Sequence, residues 1–115
     1  MSDSDKSTCA PFVLLTGEYQ SLILSDDDME ARFNIFEEKA DEGWQGNGYD
    51  WTSIAKVVVD EKMPDLKDQF DFDPEAGMFS ASSSLEALKR LGEEMKKVFD
   101  HEDSLRDFLS RAELD

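Results

Sequence analysis

Twice along this chain a hairpin pattern runs into helical periodicity, and that repeat constrains the fold more than any other feature. Phe12-Val13-Leu14-Leu15 is a short apolar run ending at Thr16-Gly17, and Tyr19 to Leu24 is a second run rich in Leu and Ile. Together they predict a β-hairpin around Gly17-Glu18. Ser25-Asp26-Asp27-Asp28 supplies N-cap residues and negative charge where a helix N-terminus favours both. Met29, Phe33, Phe36 and Ala40 then follow at helical spacing, which predicts an amphipathic helix ending near Asp41, before Gly43.

The second half repeats the scheme. Phe70-Asp71-Phe72 alternates as a half-buried strand does. Asp73-Pro74-Glu75-Ala76-Gly77 reads as a turn, with Asp first, Pro next and Gly closing it. Met78-Phe79-Ser80-Ala81-Ser82 returns as the partner strand. Ser83 with Glu86 forms a capping box ahead of Leu85, Leu88, Leu91, Met95 and Phe99. Leu105, Phe108, Leu109 and Ala112 mark a final helix, opened by Asp100 or Asp103. Before the second hairpin, Trp51, Ile54, Ala55 and Val58 trace a helix that Asp50 can cap and Pro64 stops. Val57-Val58-Val59 dilutes its helical preference.

The order is ββααββαα. It predicts an α+β fold: an antiparallel sheet of about four strands with helices packed on one face. Each half reads as hairpin, capped helix, second helix, a weak internal symmetry of pattern without residue identity. Residues 1–8 read as a disordered polar tail and 9–115 as a single domain. The eight Phe, two Trp and two Tyr supply enough aromatic bulk for one core.

Charge narrows the partners. With 28 acidic and 12 basic residues the formal charge is −16. Phosphate backbones and anionic membranes repel such a chain, so the expectation is no nucleic acid and no membrane partner. Acidity serves solubility; it also steers a compact polyanion to a basic protein, such as a nuclease with a cationic cleft. No apolar run approaches the roughly 18 residues of a membrane span. The start Met1-Ser2-Asp3-Ser4-Asp5 lacks the pattern of a signal peptide, and Cys9 alone allows no disulfide framework. The expected compartment is the cytoplasm.

No constellation of catalytic residues emerges. Asp71-x-Asp73-x-Glu75 begins like a calcium loop, but Ala76 stands where that loop needs Gly and Ser82 where it needs Glu, with Pro74 interrupting. The expectation is no metal at this turn, and the residues point toward binding before chemistry. His101, the lone histidine, is expected to cap the preceding helix at its C-terminus. Gly46-Asn47-Gly48 lacks the Lys-Ser/Thr of a phosphate loop. It reads either as a connector between helices or as a shaped loop presenting aromatics to a partner. Trp51 lies on the apolar helix face, whereas Tyr49 precedes it and suits the surface. Tyr49 and Asp50, with Trp44, are the expected contact residues, and Asp26, Asp27 and Asp28 join them as an acidic patch.

Gly46-Asn47-Gly48-Tyr49-Asp50-Trp51, followed by Phe72-Asp73-Pro74-Glu75-Ala76-Gly77-Met78-Phe79, resembles the paired signature of the immunity protein 51 family. Leu109-Ser110-Arg111-Ala112 is similar to that family's ending, and the resemblance covers roughly Phe12 to Glu113. It implies a small α+β protein of a bacterial polymorphic toxin system, which binds and neutralises a cognate toxin in the cytoplasm without enzymatic activity or cofactor. Ser80, Ser82, Trp44 and the Asp26–Asp28 run depart from the family pattern and leave the fold assignment intact; immunity families vary at the partner-facing surface, because each must match one toxin. A family motif maintains a common fold more readily than it selects one toxin. The resemblance therefore gives Gly46, Asn47, Gly48, Trp51, Asp73, Pro74, Gly77 and Phe79 a structural role. Two other classes stay open: an acidic adaptor or regulatory domain binding a basic protein outside any toxin system, and a hydrolase using paired carboxylates. The hydrolase lacks a nucleophile, a metal set and a His-centred triad.

Overall fold

The computed structural model describes residues 11–16 and 20–113. The expected turn at Gly17-Glu18, the tail expected over residues 1–8, and Cys9 lie outside the described residues. Strands β1 (Val13–Leu15), β2 (Ser21–Ser25), β3 (Asp71–Phe72) and β4 (Met78–Ser82) form one antiparallel sheet in the order β1-β2-β4-β3. The two hairpins meet through their second strands, with Ile23 opposite Ser80 at the middle of the central pair. The α+β class and the antiparallel sheet of four strands agree with the sequence pattern.

Period-two alternation decides which face is covered. Leu14, Leu22, Leu24, Phe79 and Ala81 are buried on one side. Helices α3 (Gly48–Lys62) and α4 (Leu85–Asp100) pack there, and α5 (Glu102–Arg111) packs behind them. Trp51 is fully buried between the sheet and the helices, 5.5 Å from Phe36, 5.6 Å from Phe99 and 6.3 Å from Phe12 by ring centroids. Phe12 continues the chain of rings to Phe79 on the sheet, 6.1 Å away. The expectation that Trp51 enters the core holds.

The Val57-Val58-Val59 run stays helical because Val58 and Val59 are buried. Their propensity cost of roughly 0.5 kcal/mol each is smaller than the ~2 kcal/mol each gains from leaving water. Pro64 opens a 3-10 segment, Pro64–Gln69, and α3 stops at Lys62 as expected.

The first helix does not run as the spacing suggests. It divides into α1 (Asp26–Met29), a 3-10 turn (Glu30–Arg32), α2 (Phe33–Glu37) and a second 3-10 turn (Ala40–Glu42), closed by Gly43 at φ 106°. Arg32 leaves the helical region at φ −121°, where its Nε donates to the Phe99 carbonyl at 2.7 Å and its guanidinium lies 4.8 Å from the Phe99 ring centre. That long-range anchor replaces a continuous helix. Ser25 does not cap the backbone, because its hydroxyl donates to Asp28 instead.

Three other caps shift from the expected positions. Asn47, not Asp50, caps α3. Ser84 caps α4 by accepting from the Ala87 amide at 3.2 Å, while Ser83 donates to the Gln69 carbonyl. At α5 the N-cap position is His101 rather than Asp100 or Asp103, and no side chain caps it. His101 Nδ1 stands 3.0 Å from the Lys97 carbonyl, so it closes the preceding helix as expected.

Candidate partner-binding site

The glycine-aromatic loop is held by a reciprocal cap. Asn47 Oδ1 accepts from the Asp50 amide at 3.0 Å. Asp50 Oδ2 in return accepts from the amides of Gln45 and Gly46, at 2.6 and 2.7 Å. One donor of the helix start, the Asp50 amide, and two amides of the preceding loop thereby gain partners. Gly46 takes φ 78°, and a Cβ there would stand 2.8 Å from the Phe33 ring. The position suits glycine on both counts. Trp44 turns inward, with its ring centre 6.4 Å from Phe36.

Gly48 joins this loop to the second hairpin. Its amide donates to the Ala76 carbonyl at 3.1 Å, and a Cβ at position 48 would overlap the carbonyl oxygens of Glu75 and Met78. The turn itself is tight: the amide of each of Glu75 and Met78 donates to the other's carbonyl, at 2.8 and 3.0 Å. Asp73 continues the ladder by donating its amide to Ser80. On the far side of the turn, Asp26 Oδ2 lies 3.8 Å from where a Cβ on Gly77 would sit. Segments around residues 26, 48 and 77 therefore meet at one corner of the molecule.

The residues expected to face a partner divide at this corner. Tyr49 is 46% exposed, and Asp26 and Asp27 are exposed. Asp28 is half-buried and accepts from Ser25. Trp44 and Asp50 are each 5% exposed, so their side chains serve the loop and the core. Among the motif residues, Gly46, Gly48, Trp51 and Phe79 are buried, Asn47 and Pro74 half-buried, and Asp73 and Gly77 exposed. Asp71, Asp73 and Glu75 are all exposed beside the same turn. Their spacing of two was the signal that places them on one side of a strand.

The perturbed ionisations lie elsewhere, in the helical layer. Hydrogen bonds from Arg106 hold the Glu38 carboxyl below the ordinary carboxylate range. Arg111 is pushed up by its hydrogen bonds to Glu61 and then to Asp107. A surface depression of about 350 Å³ is lined by Ser53, Lys56, Val57, Asp60, Arg111 and Glu113, and its one guanidinium is already engaged by Glu61. Among the described residues, no three His, Cys, Asp or Glu side chains converge as metal ligands, and no helix is long and apolar enough to cross a membrane.

Comparison with curated proteins and with solved structures returns no match. The family model described as immunity protein 51 matches residues 12–114 and so spans both hairpins, the interlocked motifs and every helix described above. The chain belongs to the immunity protein 51 family.

Proposed function

We propose that this protein binds a cognate bacterial polymorphic toxin and neutralises it stoichiometrically, by covering the toxin's active site or an adjacent exosite. The family match over residues 12–114 carries this reading. The formal charge of −16 adds a direction to it: the toxin presents a basic surface, and charge speeds encounter while buried rings slow release. Tyr49, Asp26 and Asp27, exposed at the corner where the family motifs interlock, are the contact residues this reading favours. The protein acts in the cytoplasm, without a cofactor and without turnover of a substrate.

Co-expression with the toxin encoded beside it tests the proposal. Growth should be restored, and the two proteins should purify as a complex of fixed stoichiometry. Absence of both protection and complex would overturn the reading.

A further inference from the structure

The sheet has one face that no helix of the described residues covers. Its composition follows from register. Val13 pairs with Ile23, and Ile23 with Ser80. Leu15 pairs with Ser21, Ser21 with Ser82, and Ser82 with Asp71. Directly paired residues share a face, so these rows point away from the helices. Asp73 donates its amide to Ser80, and Glu75 bridges to Met78, which continues the acidic column down the same edge. Across the face the chemistry therefore changes in one direction. The β1 edge is apolar, with Val13 and Leu15 exposed at 40% and 45%. The centre is a spine of hydroxyls, where Ser21 and Ser82 meet at 3.3 Å between their Oγ atoms. The β3 edge is acidic and exposed.

Among the described residues, cations are absent from this face. No Lys or Arg occurs in any of the four strands or in the turn 73–77. Every Lys and Arg among the described residues sits in a helix or in a turn between helices. Several pair internally there: Arg106 with Glu38, Arg111 with Glu61 and Asp107, Lys96 with Asp100. The helical layer thus offsets part of its own acidity, and the sheet face does not.

We propose that toxin docking extends from the corner where the family motifs interlock, whose turn carries Glu75, over this open face, with cationic side chains of the toxin over Asp71, Asp73 and Glu75 and an apolar element over Val13, Leu15 and Ile23. The inference rests on the immunity reading above. Charge complementarity selects the occupant. A second copy would bring its own charge of −16 to an uncompensated acidic edge, and nucleic acid would be repelled outright. A basic protein with an apolar flank satisfies both edges together. Val13 and Leu15 are two of the four large hydrophobic residues that the described chain exposes, and they lie side by side on the same strand edge.

The test is titration of the purified full chain with a catalytically inactive form of the toxin encoded beside it, at low and moderate salt. Asp71→Lys with Asp73→Lys should weaken binding at least about thirty-fold, with much of the loss in association rate at low salt. Glu86→Lys with Glu93→Lys, on exposed positions of α4, changes net charge equally and should stay within about threefold of wild type. Val13→Ser with Leu15→Ser should speed dissociation about tenfold and show little salt dependence. If the Lys pair fails to fold, Asp71→Asn with Asp73→Asn gives the same reading with a smaller loss. A wild-type protein that binds while the sheet pair behaves like the α4 pair overturns the docking surface alone. A wild-type protein that does not bind overturns the immunity reading and this inference with it. A wild-type dimer abolished by the Val13 and Leu15 changes would assign the face to a second copy and overturn the proposal.

Discussion

The amide of Gly48 donates to the carbonyl of Ala76 across 3.1 Å, and that bond ties the start of α3 to the β3–β4 turn. The two residues belong to the two separate halves of the family signature. The turn can approach α3 this closely only because position 48 has no side chain.

Gly48→Ala is expected to destabilise the fold by about 3 kcal/mol, since the new methyl meets backbone oxygens that cannot rotate away. Gly77→Ala makes the contrast: its Cβ meets only Asp26 Oδ2, at 3.8 Å, and should cost less than about 1 kcal/mol. Urea unfolding of both variants checks the pair. Equal losses would show that the turn, not the contact, sets the cost.

Asp50 and Tyr49 are neighbours with opposite roles. Asp50→Ala leaves two amide donors without their acceptor in a buried loop and should cost about 2–3 kcal/mol of stability. Tyr49→Ala, at an exposed position, should change stability by no more than about 1 kcal/mol. Its effect should appear in toxin affinity instead, as a loss of about 1–2 kcal/mol. Thermal melts combined with toxin titration separate the two. A stable Asp50→Ala protein with weakened binding would reverse the assignment.

Trp51 Nε1 is buried and has no hydrogen-bond partner among the described residues. Replacing the indole with a phenyl ring therefore removes volume but no polar contact. Trp51→Phe should cost about 1–2 kcal/mol, whereas Trp51→Ala should cost about 4 kcal/mol. Denaturant midpoints distinguish them. A Phe variant as damaged as the Ala variant would mean that the indole nitrogen has a partner after all.

The Glu38–Arg106 pair gives a pH dependence with a definite sign. The folded carboxyl titrates below its unfolded value, because Arg106 donates hydrogen bonds to the charged form. The contribution is present above the ordinary carboxylate range and is lost as pH falls through the lower, folded value. Wild type should therefore melt slightly above Glu38→Gln at neutral pH, and the gap should close in acid. Both side chains are partly exposed, at 40% and 47%, so the gap should also shrink with added salt. A gap that widened on acidification would contradict the assignment.

The sequence carried the two hairpins, β4 with its residue bounds, the stop before Pro64 and the burial of Trp51, while the second turn closes at Glu75–Met78 rather than opening at Asp73. Each depends on local periodicity or on turn chemistry that neighbouring residues supply. The broken first helix was not readable in that way. Its spacing is helical, and the interruption at Arg32 comes from Phe99, far along the chain. The caps at Asn47 and Ser84 illustrate a smaller failure. Adjacent polar residues compete for the same role, and the loser finds another partner: Asp50 the Gln45 and Gly46 amides, Ser83 the Gln69 carbonyl.

Local sequence determined the class of this protein. Alternation, capping residues and glycine positions act over a few residues, and together they yield an α+β chain with the immunity protein 51 signature. The tertiary structure decided which of those residues are exposed. Asp50 and Trp44 looked like surface groups until the loop folded back on them, and Asp71, Asp73 and Glu75 looked like an idle acidic turn until strand register set them on an uncovered face. Exposure depends on what packs against a residue from elsewhere in the chain. Spacing along the sequence holds no record of that packing.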